Sequence, residues 1–181
     1  MGKKEIALHE EDARHLQQLR GVLIRTRLDA GLAPVELSVQ AGRNADFIAS
    51  LERHVAVVPK ASTWQAWARV LYLRLEFEVQ DLWLFTSQPD EQLLQLQRQS
   101  RAWGADVPAR RLLAAQLRLW RMCRGWDTEQ VAPLLGVSGE SVARWELDSH
   151  DPALSRAMGY ARVLGTSVRV RVFRRDEWIF G

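Results

Sequence analysis

The chain of 181 residues is written twice. Sliding it against itself by 94 positions places Gly31 on Gly125, Gly42 on Gly136 and Glu52 on Glu146. The same shift lays Leu32 on Trp126, Leu37 on Val131, Ile48 on Val142 and Leu51 on Trp145. At a shift of 93, Ala68-Arg69-Val70-Leu71 recurs as Ala161-Arg162-Val163-Leu164. At 95, Asp81-Leu82-Trp83-Leu84-Phe85 recurs as Asp176-Glu177-Trp178-Ile179-Phe180. Apolar coincidences are cheap, but ordered identities near one offset mark a duplication, here of about 75–80 residues per unit. The expected organisation is a first unit over 1–85, a partly helical linker over 86–107 and a second unit over 108–181.

Each unit opens with helical periodicity. Leu16, Leu19, Leu23 and Leu28 recur at helical spacing until Gly31. Pro34 suits the first turn of a short helix that Gly42 ends, and Asn44 is placed to cap a third helix running to Arg53. A fourth helix is expected over about 60–71. In the second unit a helix from about Pro108 ends at Gly125. Asp127 and Gln130 have capping-box spacing, Gly136 breaks the next helix, and Ser138 caps one ending near Leu147. Pro152 precedes the last, which runs to Leu164. In the linker, Leu93, Leu94 and Leu96 indicate a helix over 91–102.

The period then switches from 3.6 to 2. Leu73, Leu75, Phe77 and Val79 alternate with Arg74, Glu76 and Glu78, while Val168, Val170 and Val172 alternate with Arg169 and Arg171. Both segments read as half-buried strands, 73–79 and 168–172. Their polar faces are of opposite sign, which favours pairing one with the other over pairing each with its own kind. The alternative is two exposed faces without a partner preference.

Charge and composition narrow the function. Residues 108–181 hold 12 basic against 8 acidic side chains, whereas residues 1–85 hold 11 of each. Of 25 basic residues all but Lys3, Lys4 and Lys60 are arginine, the side chain suited to forked contacts with phosphate and guanine. A GC-rich genome would enrich arginine equally. One cysteine, Cys123, excludes a disulfide framework, and four scattered histidines give no metal set. No metal site, cofactor, catalytic constellation or membrane span is expected. Gly136-Val137-Ser138-Gly139 lacks nucleophile-elbow spacing, and Asp148, Ser149, His150 and Asp151 read as a turn. Without an apolar leader at the start, a cytoplasmic location is expected. Trp64, Trp67, Trp120, Trp126 and Trp145 fall at core-like positions, and Trp83 and Trp178 at packing or interface positions.

Gly125-Trp126-Asp127-Thr128-Glu129-Gln130-Val131-Ala132, Leu135-Gly136-Val137-Ser138, Ser141-Val142-Ala143-Arg144-Trp145-Glu146, Pro152-Ala153-Leu154 and Leu164-Gly165 resemble the helix-turn-helix of the Cro/CI-type (XRE) DNA-binding family. Gly31-Leu32, Leu37, Gly42, Ile48, Leu51-Glu52 and Pro59 carry the likeness more faintly in the first unit. A helical unit followed by a strand further resembles HipB-like antitoxin repressors. The resemblance implies a mostly α fold of two tandem lambda-repressor-like helix-turn-helix units, each followed by a β-strand, the strands pairing into a small sheet. It implies a bacterial or phage transcription regulator whose single chain reads an asymmetric or quasi-palindromic double-stranded DNA operator as a pseudo-dimer.

The DNA-binding residues it implies are Arg43, Asn44, Ala45, Asp46, Phe47, Ser50 and Arg53 in the first unit. In the second they are Thr128, Ser138, Gly139, Glu140, Ser141 and Arg144. Pro34 and Thr128 stand where the family often has Gln. Asp46 and Glu140 place carboxylates on the reading face, where they accept from cytosine N4 but repel phosphate. Arg118, Arg121 and Arg124, spaced along one side of a helix, are candidates for phosphate contact or for a solvated face, and Arg53, His54 and His150 follow the reading helices. The rival reading is a protein-interaction module, an antitoxin or antiactivator, that docks a protein partner or a second copy.

Overall fold

The computed structural model describes residues 8–54, 58–80, 91–100, 106–147 and 149–174. The order is α1 (Glu10–Asp29), α2 (Pro34–Gln40), α3 (Phe47–Arg53), α4 (Ala61–Val70), β1 (Leu73–Val79), α5 (Glu91–Ser100), α6 (Asp106–Cys123), α7 (Thr128–Val131), a 3-10 turn (Ala132–Leu135), α8 (Gly139–Glu146), α9 (Leu154–Val163) and β2 (Val168–Arg174). Among the described residues the chain is thus mostly helical with one two-stranded antiparallel sheet. The repeated D-x-W-x-F segments, residues 1–7 and Asp148 lie outside the described residues. Among the described residues no helix is long and apolar enough to cross a membrane.

The sequence repeat is a repeat of hydrogen bonds. At the end of α1, Ala30, Gly31 and Leu32 N–H groups donate to Thr26, Leu28 and Arg27 carbonyls; at the end of α6, Arg124, Gly125 and Trp126 donate to Trp120, Met122 and Arg121. Every donor and acceptor is displaced by 94. The next turn is duplicated too: Gly42 and Arg43 donate to Val39 and Ser38, and Gly136 and Val137 to Pro133 and Ala132. Gly42 and Gly136 sit at φ 66° and 62°, a left-handed backbone that glycine alone adopts without strain. At the end of the fourth helices the copies part. Gly165 (φ 77°) has Tyr72 (φ 56°) as its counterpart, the one non-glycine residue at positive φ among those described.

The two strands join the halves about a pseudo-two-fold axis. Phe77 faces Val170 one pair from the centre of a pairing that runs from Leu73 opposite Arg174 to Val79 opposite Val168. Phe77 and Val170 are 93 positions apart, so at this one pair a residue meets its own counterpart, as happens on the axis of an isologous contact. Lys60 and Ala153, also 93 apart, form an isolated bridge on the same principle. The acidic and basic faces meet as their charges favour. Glu76 lies opposite Arg171 and Glu78 opposite Arg169, and the ion pair runs diagonally from Arg171 to Glu78 at 2.8 Å. Half-exposed, it contributes roughly 0.2–1 kcal/mol. The second strand continues past Val172 because Phe173 faces Arg74, whose guanidinium lies 4.8 Å over the ring.

Both outer edges of this sheet are occupied by the opposite half. The Val79 N–H donates to Gln116 Oε1 of α6 at 3.0 Å, and the Val170 N–H donates to His15 Nε2 of α1 at 2.9 Å. Arg162 of α9 adds a forked contact to Asp12 of α1, at 3.1 and 2.8 Å. One continuous core therefore spans both halves. It includes Leu19, Leu23, Trp64, Trp67, Phe77, Leu117, Trp120, Val142 and Met158, with Trp64 and Trp67 stacked at 5.8 Å. Leu28, in helical register with the buried Leu16, Leu19 and Leu23, is itself 59% exposed, while its neighbour Arg27 turns inward to Glu52 of α3.

Burial, and next the Arg169 charge, hold the His15 imidazole below its ordinary value of 6.5, against a smaller opposing effect of Asp12. The folded chain binds this proton less readily than the unfolded chain does. The stability from a neutral His15 is therefore present above pH 6.5 and is lost as pH falls through the folded value. Urea denaturation at pH 7.5 and 5.5 should show a lower midpoint at 5.5. In His15→Gln, whose amide oxygen can accept as Gln116 does, that drop should shrink; an equal drop in both proteins would remove His15 as its source.

Candidate nucleic-acid interface

In the second half, Asp127 caps α7 reciprocally with Gln130. Asp127 Oδ1 accepts from the Gln130 N–H and Gln130 Oε1 from the Asp127 N–H, both at 2.8 Å. Pro133 lacks an N–H and tightens the following turn into a 3-10 helix. Gly136 reverses the chain, and Ser138 Oγ caps α8 by accepting from the Ser141 N–H at 3.2 Å. The two serine hydroxyls are hydrogen-bonded to each other at 2.9 Å. Val142 and Glu146 turn inward and are buried; Glu140 and Arg144 point outward and are exposed, paired at 3.5 Å. Gly139 is buried beneath the Glu129 carboxylate, which stands where a Cβ would be, at the helix N-terminus that favours negative charge. Thr128, half-buried, opens α7. The outward surface of this half thus consists of Ser138, Glu140 and Arg144, with Ser141 at its margin.

In the first half, the buried Ser38 hydroxyl donates to Pro34 O at 2.8 Å and accepts from the Ile48 N–H at 3.0 Å, joining α2 to α3. The third helix begins at Phe47, behind Asp46. Asn44 does not cap it; its carbonyl accepts from the Phe47 N–H in a turn. Asn44, Ala45 and Asp46 are exposed. The Arg43 guanidinium lies 5.5 Å over the Phe47 ring, Ser50 is half-buried, and Arg53 and His54 are exposed.

One residue considered for phosphate contact is placed elsewhere. Arg121 is buried, and its Nε and an Nη donate to the two Glu146 oxygens at 2.7 and 2.8 Å. Its other Nη donates to Trp126 O at 2.6 Å. Arg27 does the same with Glu52, at 2.6 and 2.9 Å, and with Leu32 O at 2.8 Å. Each fork pins the third helix of a unit to its first helix and to the intervening turn. The Tyr160 hydroxyl donates to Glu146 as well. Burial, and next that carboxylate, push its pKa far above a phenol's, so it stays a donor. Arg118 and Arg124 remain exposed, the latter 5.8 Å over the Trp120 ring. Among the described residues no group of His, Cys, Asp or Glu side chains is arranged to hold a metal ion.

No protein-family model, curated protein or solved structure matches this chain.

Proposed function

We propose that this protein binds duplex DNA in a sequence-specific manner, as a transcription regulator in which two tandem helix-turn-helix units of the lambda-repressor kind act as a pseudo-dimer within one chain. The observation that carries this reading is the duplicated turn between two short helices, set about a strand pair in which the equivalent residues Phe77 and Val170 face each other. Dimeric readers of DNA present two such helix pairs to half-sites one helical turn apart. Here one chain supplies both, and their outward residues differ: Asn44, Ala45 and Asp46 against Ser138, Glu140 and Arg144. The two half-sites then differ in sequence.

Fluorescence anisotropy against a duplex selected from a random pool tests the reading. Log K should fall with log salt by about 0.9 per phosphate neutralised. Arg144→Ala should weaken specific binding by roughly 1–3 kcal/mol. An unchanged isotherm would remove Arg144 from the site, and no salt-dependent binding would remove the reading. The alternative, docking of a protein partner, is favoured by Val35 and Val39, exposed on one face of α2, and by exposed Leu28. That surface would act without a DNA salt slope.

A further inference from the structure

A groove of about 280 Å³ lies behind the outward face of α8, lined by Gly136, Val137, Ser141, Arg144, Trp145, His150 and Arg156. Two guanidinium groups, an imidazole and a hydroxyl thus share one recess beside an aromatic ring. Among the described residues that line it there is no carboxylate. Like charges held together favour an anion between them, and arginine forks match phosphate oxygens in geometry. Existing partners leave this capacity open. Arg144 meets Glu140 only at 3.5 Å and in solvent, a pairing worth little. Arg156 reaches the Leu135 carbonyl only at 3.5 Å, too long for a strong bond.

We propose that this groove binds the phosphate or pyrophosphate group of a small soluble ligand. The recess suits a compact anion with a few atoms of its carrier against Trp145, rather than a backbone running over an open surface. The first half offers no second copy of the site, because Ser50 and Thr63 stand where Arg144 and Arg156 would recur. One site per chain follows. The inference shares Arg144 with the DNA reading but does not depend on it, and its test contains no DNA in its first arm.

Titration calorimetry of the full chain with sodium pyrophosphate, at fixed ionic strength, should give one site with a Kd of roughly 0.1–1 mM. Arg144→Gln and Arg156→Gln should each weaken it about tenfold or more, with circular dichroism checking that both variants fold. Binding that also occurs in both variants at full strength would overturn the proposal. So would heats no larger than those of sodium chloride at equal ionic strength. A second arm measures the salt slope of duplex binding. If pyrophosphate does not bind while Arg156→Gln lowers that slope, the groove serves a duplex backbone and the proposal fails.

Discussion

Glu146→Ala is expected to lower the unfolding free energy by about 3–5 kcal/mol, the usual consequence of stranding one member of a buried ion pair. Glu146 accepts both forks of Arg121 and the Tyr160 hydroxyl. Its side chain is 4% exposed and that of Arg121 11%. Removing the carboxylate leaves a guanidinium and a phenol hydroxyl desolvated together. Glu52→Ala should cost less, because Glu52 is 14% exposed and no tyrosine joins it. The residue 93 positions before Tyr160 is Trp67, whose indole N–H is buried without an acceptor. A joint Arg121→Met and Glu146→Leu exchange should recover part of the loss, since it removes the stranded guanidinium but leaves the Tyr160 hydroxyl without its acceptor. Urea denaturation of the three variants provides the test. A Glu146→Ala loss below 1 kcal/mol would show that the pair does not hold the third helix.

Phe77→Ala should destabilise by a similar amount, about 3–5 kcal/mol, as expected for an aromatic ring removed from a close-packed core. Phe77 is 3% exposed and lies within the strand pairing, opposite Val170. The consequence should reach both halves. Each sheet edge is held by the other half's first helix, through Gln116 and His15, so loosening the pairing loosens both clamps. Amide hydrogen exchange should therefore speed up in α1 and α6 alike. Faster exchange confined to one half would mean that the halves fold independently, with the sheet merely a tether.

What could be read beforehand was local, or duplicated locally. Gly31, Gly42, Gly125 and Gly136 announce their turns because a left-handed backbone selects glycine within a few residues. The strands follow from alternation, and their mutual pairing from the opposite charges of Glu76 and Glu78 against Arg169 and Arg171. Roles set by distant partners were less legible. Arg121, spaced three from Arg118 and three from Arg124, looks like one of a surface row, yet it is a buried clamp. A signal was present: Arg27 and Glu52 recur together as Arg121 and Glu146, 25 residues apart both times. A charged pair that repeats as a pair marks a contact rather than a surface. Asn44 has the chemistry of a cap, but the Asn44–Phe47 turn delays the helix, and the buried Ile48 has its N–H held by the Ser38 hydroxyl of α2 instead. On the candidate interface, exposure of Glu140 and Arg144 follows from helical spacing around Val142. The burial of Gly139 under Glu129 depends on how α7 meets α8, which spacing alone does not contain.

The claim that one chain presents two DNA-reading units is tested most directly by hydroxyl-radical footprinting on a selected duplex, with the stoichiometry measured in the same solution by analytical ultracentrifugation. A pseudo-dimer predicts one chain per duplex and two protected patches of unlike sequence, centred about 34 Å apart on one face of the DNA. A single patch, or two chains on a symmetric site, would contradict it.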